Sequence, residues 1–151
     1  MTADSPQTIQ YCTFYLDDAL YGIPIVGLQE IVRFREMMTV PLAPKEVAGL
    51  LNLRGQIVMA IDLRARMGLK PRSTDDRPIN LIVRSSTDTI SLLVDRIGDM
   101  VEVDSTMFDP TPPTVPAGIR DLVSGTYKLP NQLLVVINPD TACNLTVAEA
   151  S

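Results

Sequence analysis

The chain has no histidine and no tryptophan among its 151 residues. Histidine is the most frequent general base and metal ligand in proteins, so its absence excludes the triads and metal centres that depend on it. The sequence also lacks the glycine-rich phosphate-binding motifs, the Cys-x-x-Cys pair and the Gly-x-Ser-x-Gly nucleophile turn. We therefore predict a protein that is not an enzyme and has no catalytic residues, no metal site and no cofactor.

Long apolar runs and an excess of positive charge are also missing. The longest uninterrupted apolar segments have about five residues, whereas a membrane-spanning helix needs about twenty. The formal net charge is −5 and the isoelectric point is about 4.6, which argues against a broad basic surface for nucleic acid. The residues at the start of the sequence do not resemble a secretion signal, so the two cysteines, Cys12 and Cys143, are predicted to be reduced thiols. We expect a cytoplasmic protein with no direct membrane insertion and no nucleic-acid partner.

One domain is predicted, because a chain of 151 residues that is 46% hydrophobic can build a single sizeable core. We assign residues 1–8 to a disordered N-terminal tail, residues 9–145 to the domain and residues 146–151 to a flexible C-terminal tail. The polar residues 70–78 indicate an exposed loop rather than a linker between independent domains.

Short β-prone segments separated by turn signals at intervals of about eight to twelve residues favour a mainly β fold. Residues 9–16 and 20–25 predict a hairpin that turns at Asp17-Asp18. The loop at residues 70–78 divides the β-rich sequence into two halves, residues 9–69 and 79–138. Further strands are predicted at residues 56–61, 79–84, 89–94, 100–103, 122–129 and 133–136.

Five consecutive apolar residues at positions 57–61 predict a strand buried on both faces. Gly55 precedes this strand in a turn that requires positive φ, and Gly49 is expected at a helix end or a close packing contact. A second turn is predicted at Gly98-Asp99. Four prolines in residues 109–118 predict a loop without regular structure.

Helices are predicted only as short segments. Residues 44–51 predict a two-turn helix with proline in its first turn, and residues 62–67 predict a second helix that ends at Gly68. A last helix is expected to start at Asn138-Pro139 and to end near residue 145. Residues 26–34 are ambiguous between a short helix and a bent strand, because their apolar spacing fits both.

Four segments carry a family resemblance. In chain order they are Tyr21-Gly22-Ile23-Pro24-Ile25, Leu28-Gln29-Glu30-Ile31, Gly49-Leu50-Leu51-Asn52-Leu53-Arg54-Gly55 and Ile61-Asp62-Leu63-Arg64. Their order and spacing resemble the CheW family over residues 9–145, and residues 94–101 resemble the second-half pattern of that family. The chain departs from the family at Met59-Ala60, where a proline is usual.

The resemblance implies a CheW-like fold of two packed SH3-like β-barrel halves with a few short helices and a hydrophobic contact between them. It favours a short helical turn followed by a strand over residues 26–34. It further implies a non-enzymatic adaptor that couples the cytoplasmic tips of chemoreceptors, the methyl-accepting chemotaxis proteins, to a CheA-type histidine kinase in chemotaxis signal transduction. Such an adaptor binds the receptor tip and the regulatory domain of the kinase, at membrane-associated receptor arrays.

Arg54 and Glu30 are the first candidate site residues. An arginine at the mouth of a buried strand must find a carboxylate or carbonyl partner or stay in water, and Glu30 is the nearest carboxylate in an apolar context. The resemblance implies that Arg54 is needed for coupling and that Glu30 lies near the receptor-binding groove. The alternative is an arginine that only fixes the turn before the core strand.

The predicted receptor-binding groove consists of Leu28, Glu30, Ile31, Leu50, Asn52, Arg54 and Val94. Apolar grooves can accept an amphipathic helix, and Leu28 and Leu50 are favoured because each lies at the edge of its apolar run. The alternative is that the apolar members, together with Leu53 and Ile97, belong to the core. For the contact with the kinase we select Ile97 and Val101.

Two other functions remain open, the first through the resemblance and the second from the residues. The first is a CheW-like adaptor of another chemosensory pathway, such as surface motility, including one that binds receptors only. The second is a small β-barrel hydrolase, which would require convergent carboxylates with one raised pKa. Asp62, Asp95 and Asp99 are available for such a site, but no motif supports it.

Overall fold

The computed structural model describes residues 8–73, 77–85, 88–110 and 120–142. The strands within these ranges are β1 (Thr8–Leu16), β2 (Ala19–Pro24), β3 (Leu28–Val32), β4 (Val47–Leu53), β5 (Gln56–Asp62), β6 (Ile79–Arg84), β7 (Thr89–Val94), β8 (Arg96–Asp104), β9 (Asp109–Pro110), β10 (Val123–Lys128) and β11 (Leu133–Ile137). Short helices in these ranges include α1 (Leu63–Arg66) and α2 (Pro139–Ala142), which is described as far as Ala142, and single 3₁₀ turns cover Ile25–Gly27 and Ser105–Met107. None of the helices in the described ranges has the length and apolarity to cross a membrane.

A six-stranded sheet has the order β8-β1-β2-β11-β10-β9. β1 and β2 form an antiparallel hairpin with Leu16 opposite Ala19, and β2 pairs in parallel with β11. Successive side chains of a strand point to opposite faces, so Tyr11 and Cys12 of β1 face different surroundings. Tyr11 packs in a core that belongs to this sheet, whereas Cys12 packs against the second sheet. β1 is therefore buried on both faces.

A five-stranded sheet has the order β3-β6-β7-β5-β4. Its edge strands, β3 and β4, are brought together by the chain that follows β3. Met38 forms a β-bridge with Leu50 of β4, in which each backbone N–H donates to the other residue's carbonyl over 2.9 Å. The sheet therefore curls until its two edges approach each other, which covers strand edges that would otherwise be open to pairing.

Buried apolar side chains form three clusters. One lies within each sheet, and the third, which we call the shared core, lies between them. The six-stranded sheet contributes Cys12, Phe14, Leu16, Tyr21, Ile23, Val123 and Ile137 to the shared core, and the five-stranded sheet contributes Ile61, Leu81, Val83, Ile90, Leu92 and Val94. The predicted mainly β fold with few short helices is confirmed, and the expected hydrophobic contact joins its two units.

The two sheets do not correspond to the two halves of the sequence. The strands β3 to β7 form the five-stranded sheet, whereas β1 and β2 join β8 to β11 in the other sheet. The predicted boundary at residues 70–78 therefore falls inside the chain of the five-stranded sheet. The two halves of the sequence do not match the two sheets because a polar loop marks only a surface connection. Such a loop carries no information on which strands pair with each other.

The helix predicted at residues 44–51 is wrong, because Val47–Leu53 forms β4. Gly49, Leu51 and Leu53 are buried while alternate residues are more exposed, which is the period of a strand. Pairing with β5 on one side and with Met38 on the other satisfies the backbone of this segment. Gly49 therefore lies at an irregularity in the β4–β5 pairing and not at a helix end.

Other local predictions fared better. The short helical turn followed by a strand matches Ile25–Gly27 and β3. The helix expected from Asp62 is α1, in which the Asp62 carboxylate accepts a hydrogen bond from the Arg64 backbone N–H at 3.0 Å and caps the first turn. The strand expected at residues 56–61 is β5, but its apolar run is not buried throughout, since Ile57 is 51% exposed.

The turn predicted at Gly98-Asp99 is replaced by continuous β8. β8 carries an extra residue relative to β1 at this point, and a Cβ atom at Gly98 would collide with Thr13 and contact Tyr15. The glycine therefore permits close approach of two strands rather than a change of direction.

Several predictions fall on residues outside the described ranges. These include residues 1–7 of the N-terminal tail, residues 111–118 of the proline-rich loop and the end of the last helix near residue 145, although Thr8 already belongs to β1. The domain limits at residues 9 and 145 therefore stay a prediction. The last helix does begin at Pro139, and Asp109–Pro110 pairs with β10 as β9.

We expect Gly49→Ala to be more destabilising than Gly68→Ala. A Cβ at Gly49 would lie 2.7 Å from the Met38 carbonyl oxygen, which is fixed by its bond to Leu50, so overpacking should cost about 3 kcal/mol. Gly68 has φ of 76° and open space around it, so alanine there should cost about 1 kcal/mol through backbone strain alone. Urea unfolding of both variants measures the difference, and equal losses would contradict the proposed crowding at Gly49.

Candidate functional site

The β4–β5 hairpin positions Arg54. Leu53 pairs with Gln56, which leaves Arg54 and Gly55 as a two-residue loop. Their φ values of 52° and 88° are those of a type I′ turn, which fits the twist of an antiparallel hairpin. The Asn52 side-chain oxygen accepts a hydrogen bond from the Gly55 backbone N–H at 2.9 Å. The turn is therefore held by its own backbone and by Asn52, without help from the Arg54 side chain.

The Arg54 guanidinium forms an ion pair with the Glu30 carboxylate of β3. The hydrogen bond to Glu30 and the charge of that carboxylate raise the pKa of Arg54. The Arg54 side chain is 70% exposed and that of Glu30 is 28% exposed. The pair connects β3 to the β4–β5 turn at the surface, where ion pairs contribute little to folding stability. The predicted contact between these residues is present.

The apolar residues of the predicted groove differ in exposure. Ile31 of β3 is 44% exposed, while Leu28 is half-buried against the shared core and Leu50 is half-buried on β4. Val94 is fully buried in the shared core, so its side chain cannot line an exposed groove and its selection was wrong. The error arose because Val94 ends its strand, a position that the sequence cannot distinguish from a surface edge.

The residues selected for the kinase contact, Ile97 and Val101, both lie on β8. Ile97 is half-buried against the shared core, and Val101 is half-buried against the core of the six-stranded sheet. Their side chains therefore have packing partners within the chain. A role in binding stays a prediction for both residues.

An apolar cavity on the six-stranded sheet was missed at the sequence level. It has a volume of about 610 Å³ and lies between the start of β1, the end of β2 and Glu102 of β8. The apolar lining side chains are Ile9, Tyr11, Pro24, Ile25 and Val26, and we call this site the Val26 cavity. Val26 is 93% exposed. The signal available in the sequence was an apolar pair directly after a proline, but its exposure depends on the 3₁₀ turn that follows β2.

Five charged side chains form a second cluster, which we call the inter-sheet ion cluster: Asp17, Asp62, Arg64, Arg72 and Asp95. One guanidinium nitrogen of Arg64 lies 2.6 Å from an Asp17 carboxylate oxygen and 2.7 Å from an Asp95 carboxylate oxygen. Arg72 reaches Asp95 at 3.1 Å and Asp62 at 3.4 Å. The hydrogen bond from Arg64 to Asp17 raises the pKa of Arg64, and burial acts in the opposite direction.

The inter-sheet ion cluster also bears on the carboxylates considered for hydrolysis. Asp62 and Asp95 each accept hydrogen bonds from arginine, and Asp62 also caps α1. Asp99 is exposed on β8, and it forms no ion pair with any residue in the part of the chain that the structure describes. The hydrogen bonds of Asp62 and Asp95 engage both carboxylates within the chain. The geometry therefore favours a structural role for Asp62 and Asp95.

Comparisons with known proteins agree on one family. A family model described as a CheW-like domain matches residues 10–145. The chain is 30% identical over 134 residues to the chemotaxis protein CheW of Helicobacter pylori, covering 89% of this chain and 81% of that protein. It is 30% identical over 141 residues to the chemotaxis protein CheW of Treponema pallidum, covering 90% and 82%.

The fold is similar to a solved structure, the scaffolding protein TtCheW from Thermoanaerobacter tengcongensis. The TM-score is 0.84 at 25% sequence identity, and the match covers 93% of this chain and 95% of that chain. Sequence and fold therefore point to the same relatives.

We expect Arg64→Met and Arg54→Met to differ sharply in their effect on stability. Arg64 is 7% exposed, and its loss leaves Asp95 without its closest guanidinium partner, which should lower the free energy of unfolding by about 2 kcal/mol. Arg54 is mostly exposed, so its variant should unfold at nearly the wild-type urea concentration. A large loss for Arg54→Met would instead make the surface ion pair a structural element of the hairpin.

Proposed function

We propose, from the premise that this chain belongs to the CheW family of non-enzymatic chemotaxis scaffold proteins, that it couples chemoreceptors to a CheA-type histidine kinase. In this proposal one surface binds the cytoplasmic tip of a chemoreceptor and another binds the regulatory β-domain of the kinase. The protein would then act in the cytoplasm, at membrane-associated receptor arrays, through the receptor and without inserting into the membrane.

The observation that carries the receptor assignment is the Glu30–Arg54 ion pair. The pair is exposed, yet it joins β3 to the β4–β5 turn, and Glu30 is the sequence neighbour of the half-exposed Ile31. A surface pair of this kind adds little to folding stability, and the adjacent turn is already held by Asn52. Its fixed geometry is therefore better explained by recognition, in which a charged group and a neighbouring apolar side chain meet a receptor helix.

The kinase surface is assigned to the Val26 cavity. A scaffold needs two surfaces that do not compete for the same residues, and this cavity lies on the six-stranded sheet while the Glu30–Arg54 pair lies on the five-stranded sheet. Val26 exposes nearly its whole side chain to solvent, which has an energetic cost that binding to an apolar partner would relieve. Exposed apolar side chains that fill a partner's pocket commonly dominate the binding energy of an interface.

The coupling mechanism follows from rigidity and not from chemistry. The shared core and the inter-sheet ion cluster join the two sheets into one body. A change in receptor conformation can alter the activity of the kinase through this body only under one condition. The receptor must contact the scaffold differently in its two conformational states. An adaptor of another chemosensory pathway would use the same surfaces with different partners, and receptor and kinase genes beside the gene for this chain would distinguish the two.

We expect Arg54→Ala to weaken binding to a receptor cytoplasmic fragment from the same genome by about ten-fold, because it removes a charged contact at the interface. Binding to the kinase regulatory domain should stay within about two-fold of wild type. The double variant Glu30→Arg with Arg54→Glu should recover part of the loss that each single change causes.

Lys128→Ala serves as the control for this experiment, because it removes an exposed cation from β10 on the other sheet. Strictly additive losses in the charge-swap cycle would show that Glu30 and Arg54 act independently. Equal weakening of kinase and receptor binding would remove the receptor assignment.

We expect Val26→Glu to abolish measurable binding to the kinase regulatory domain while the receptor fragment still binds. A carboxylate placed in an apolar interface must be desolvated without a partner, which is strongly unfavourable. Leu42→Glu is the matched control, because Leu42 is an equally exposed apolar side chain outside the cavity. Isothermal titration calorimetry measures both affinities, and unchanged kinase binding by the folded Val26→Glu variant would refute this assignment.

A further inference from the structure

We infer that Asp17, Arg64 and Asp95 fix the angle between the two sheets and so position the receptor and kinase surfaces for simultaneous binding. The part of this inference that concerns the partners rests on the proposed function. The part that concerns the angle between the sheets stands on the geometry of the chain alone.

The three residues come from different parts of the fold. Asp17 is in the β1–β2 turn of the six-stranded sheet, Arg64 is in α1 directly after β5 of the five-stranded sheet, and Asp95 joins β7 to β8 where the chain passes from one sheet to the other. Arg64 contacts both carboxylates, and its Nε donates to the Lys70 carbonyl at 2.8 Å. A single guanidinium therefore ties the turn of one sheet to the end of the other.

Asp95 reinforces this link through the backbone. Its carboxylate accepts a hydrogen bond from the Asp17 backbone N–H at 2.8 Å, and its own backbone N–H donates to the Tyr15 carbonyl at 3.1 Å. Asp17 adopts a positive φ of 55°, which turns its backbone into the conformation that makes these contacts. Arg72 holds the other Asp95 oxygen, so this carboxylate is fixed from two directions.

The shared core alone would not fix the angle equally well. Burial of apolar surface is non-directional, so it favours contact between the sheets without selecting one relative rotation. Charge-assisted hydrogen bonds from a planar guanidinium are directional and short, and they weaken when the groups rotate apart. The core therefore holds the sheets together, and the three charged residues select their orientation.

Asp17 allows the link to be weakened without disturbing the interior. Its side chain is 59% exposed, and asparagine has nearly the same shape and tolerates positive φ. Asp17→Asn removes the negative charge that pairs with Arg64. Asp18→Asn is the matched control, since it makes the same charge change at the next position of the same turn, and no ion pair of Asp18 is present in the described ranges.

The first test follows the orientation of the sheets through one distance between them, with no partner present. Spin labels are attached to Gln56→Cys on β5 and Lys128→Cys on β10, which are both exposed positions. Cys143 is replaced by serine so that it cannot take a label. Cys12 stays unlabelled, because it is 1% exposed and burial raises the pKa of its thiol. Pulsed electron spin resonance then gives the distance distribution between the sheets. We expect it to broaden in Asp17→Asn and further in Arg64→Met, to recover partly in Arg64→Lys, and to stay unchanged in Asp18→Asn.

An unchanged distribution in both Asp17→Asn and Arg64→Met, with folding verified by urea unfolding, would overturn the inference, because the shared core would then set the angle alone. Equal broadening in Asp18→Asn would also overturn it, because the effect would belong to the turn and not to the link with Arg64.

The second test measures coupling between the partners. The affinity for the kinase regulatory domain is measured with and without saturating receptor fragment. For wild type, the affinity with the fragment divided by the affinity without it should be about five or more. In Asp17→Asn we expect the two separate affinities to stay within about two-fold and the ratio to fall towards one. A wild-type ratio retained in Asp17→Asn would overturn the positioning role. Wild type that binds neither partner would refute the proposed function, while the distance measurement would still decide whether the three residues set the angle.

Discussion

The structure depends first on the apolar layer between its two sheets. Neither sheet can bury both faces of its strands within its own core. β1 illustrates the constraint, because Tyr11 and Cys12 point to opposite faces and both are buried. The six-stranded sheet therefore completes its interior only against its neighbour. This dependence makes the two sheets one folding unit and gives the scaffold the stiffness that its proposed role requires.

Two ionic contacts show how burial divides the roles of charge in this protein. The Glu30–Arg54 pair lies at the surface, where water screens it and folding gains little. The Arg64 side chain is buried, and its contacts join elements that are distant in sequence. The first arrangement suits recognition by another molecule, and the second suits internal geometry. The two arginines lie only ten positions apart in the sequence. The β4–β5 turn places Arg54 at the surface, whereas α1 places Arg64 in a buried position.

Local chemistry in the sequence predicted local structure well. Asp62 and Gly68 mark the ends of α1 because a cap and a positive φ are properties of single residues. The contact between Glu30 and Arg54 was also predictable, because a charge beside an apolar run has few partners. The failures involve pairing between distant segments. Residues 47–53 have the composition of a helix but form β4, since their partners are β5 and Met38. Val94 was wrongly placed in the groove, and the Val26 cavity was not predicted at all. Both failures have one cause: the burial of an apolar side chain is decided by strands that lie elsewhere in the chain.

The order in which the strands enter the sheets has a consequence for synthesis on the ribosome. The five-stranded sheet is built from one uninterrupted stretch, β3 to β7, whereas the six-stranded sheet combines the first two strands with the last four. The uninterrupted unit can acquire all of its strand pairings as soon as residue 94 has emerged, because its contacts are the more local ones. The β1–β2 hairpin must wait for β8 and β11 to be made. During that interval the apolar side chains that later fill the layer between the sheets face water, and this is the stage of biogenesis at which the nascent chain is most exposed to aggregation.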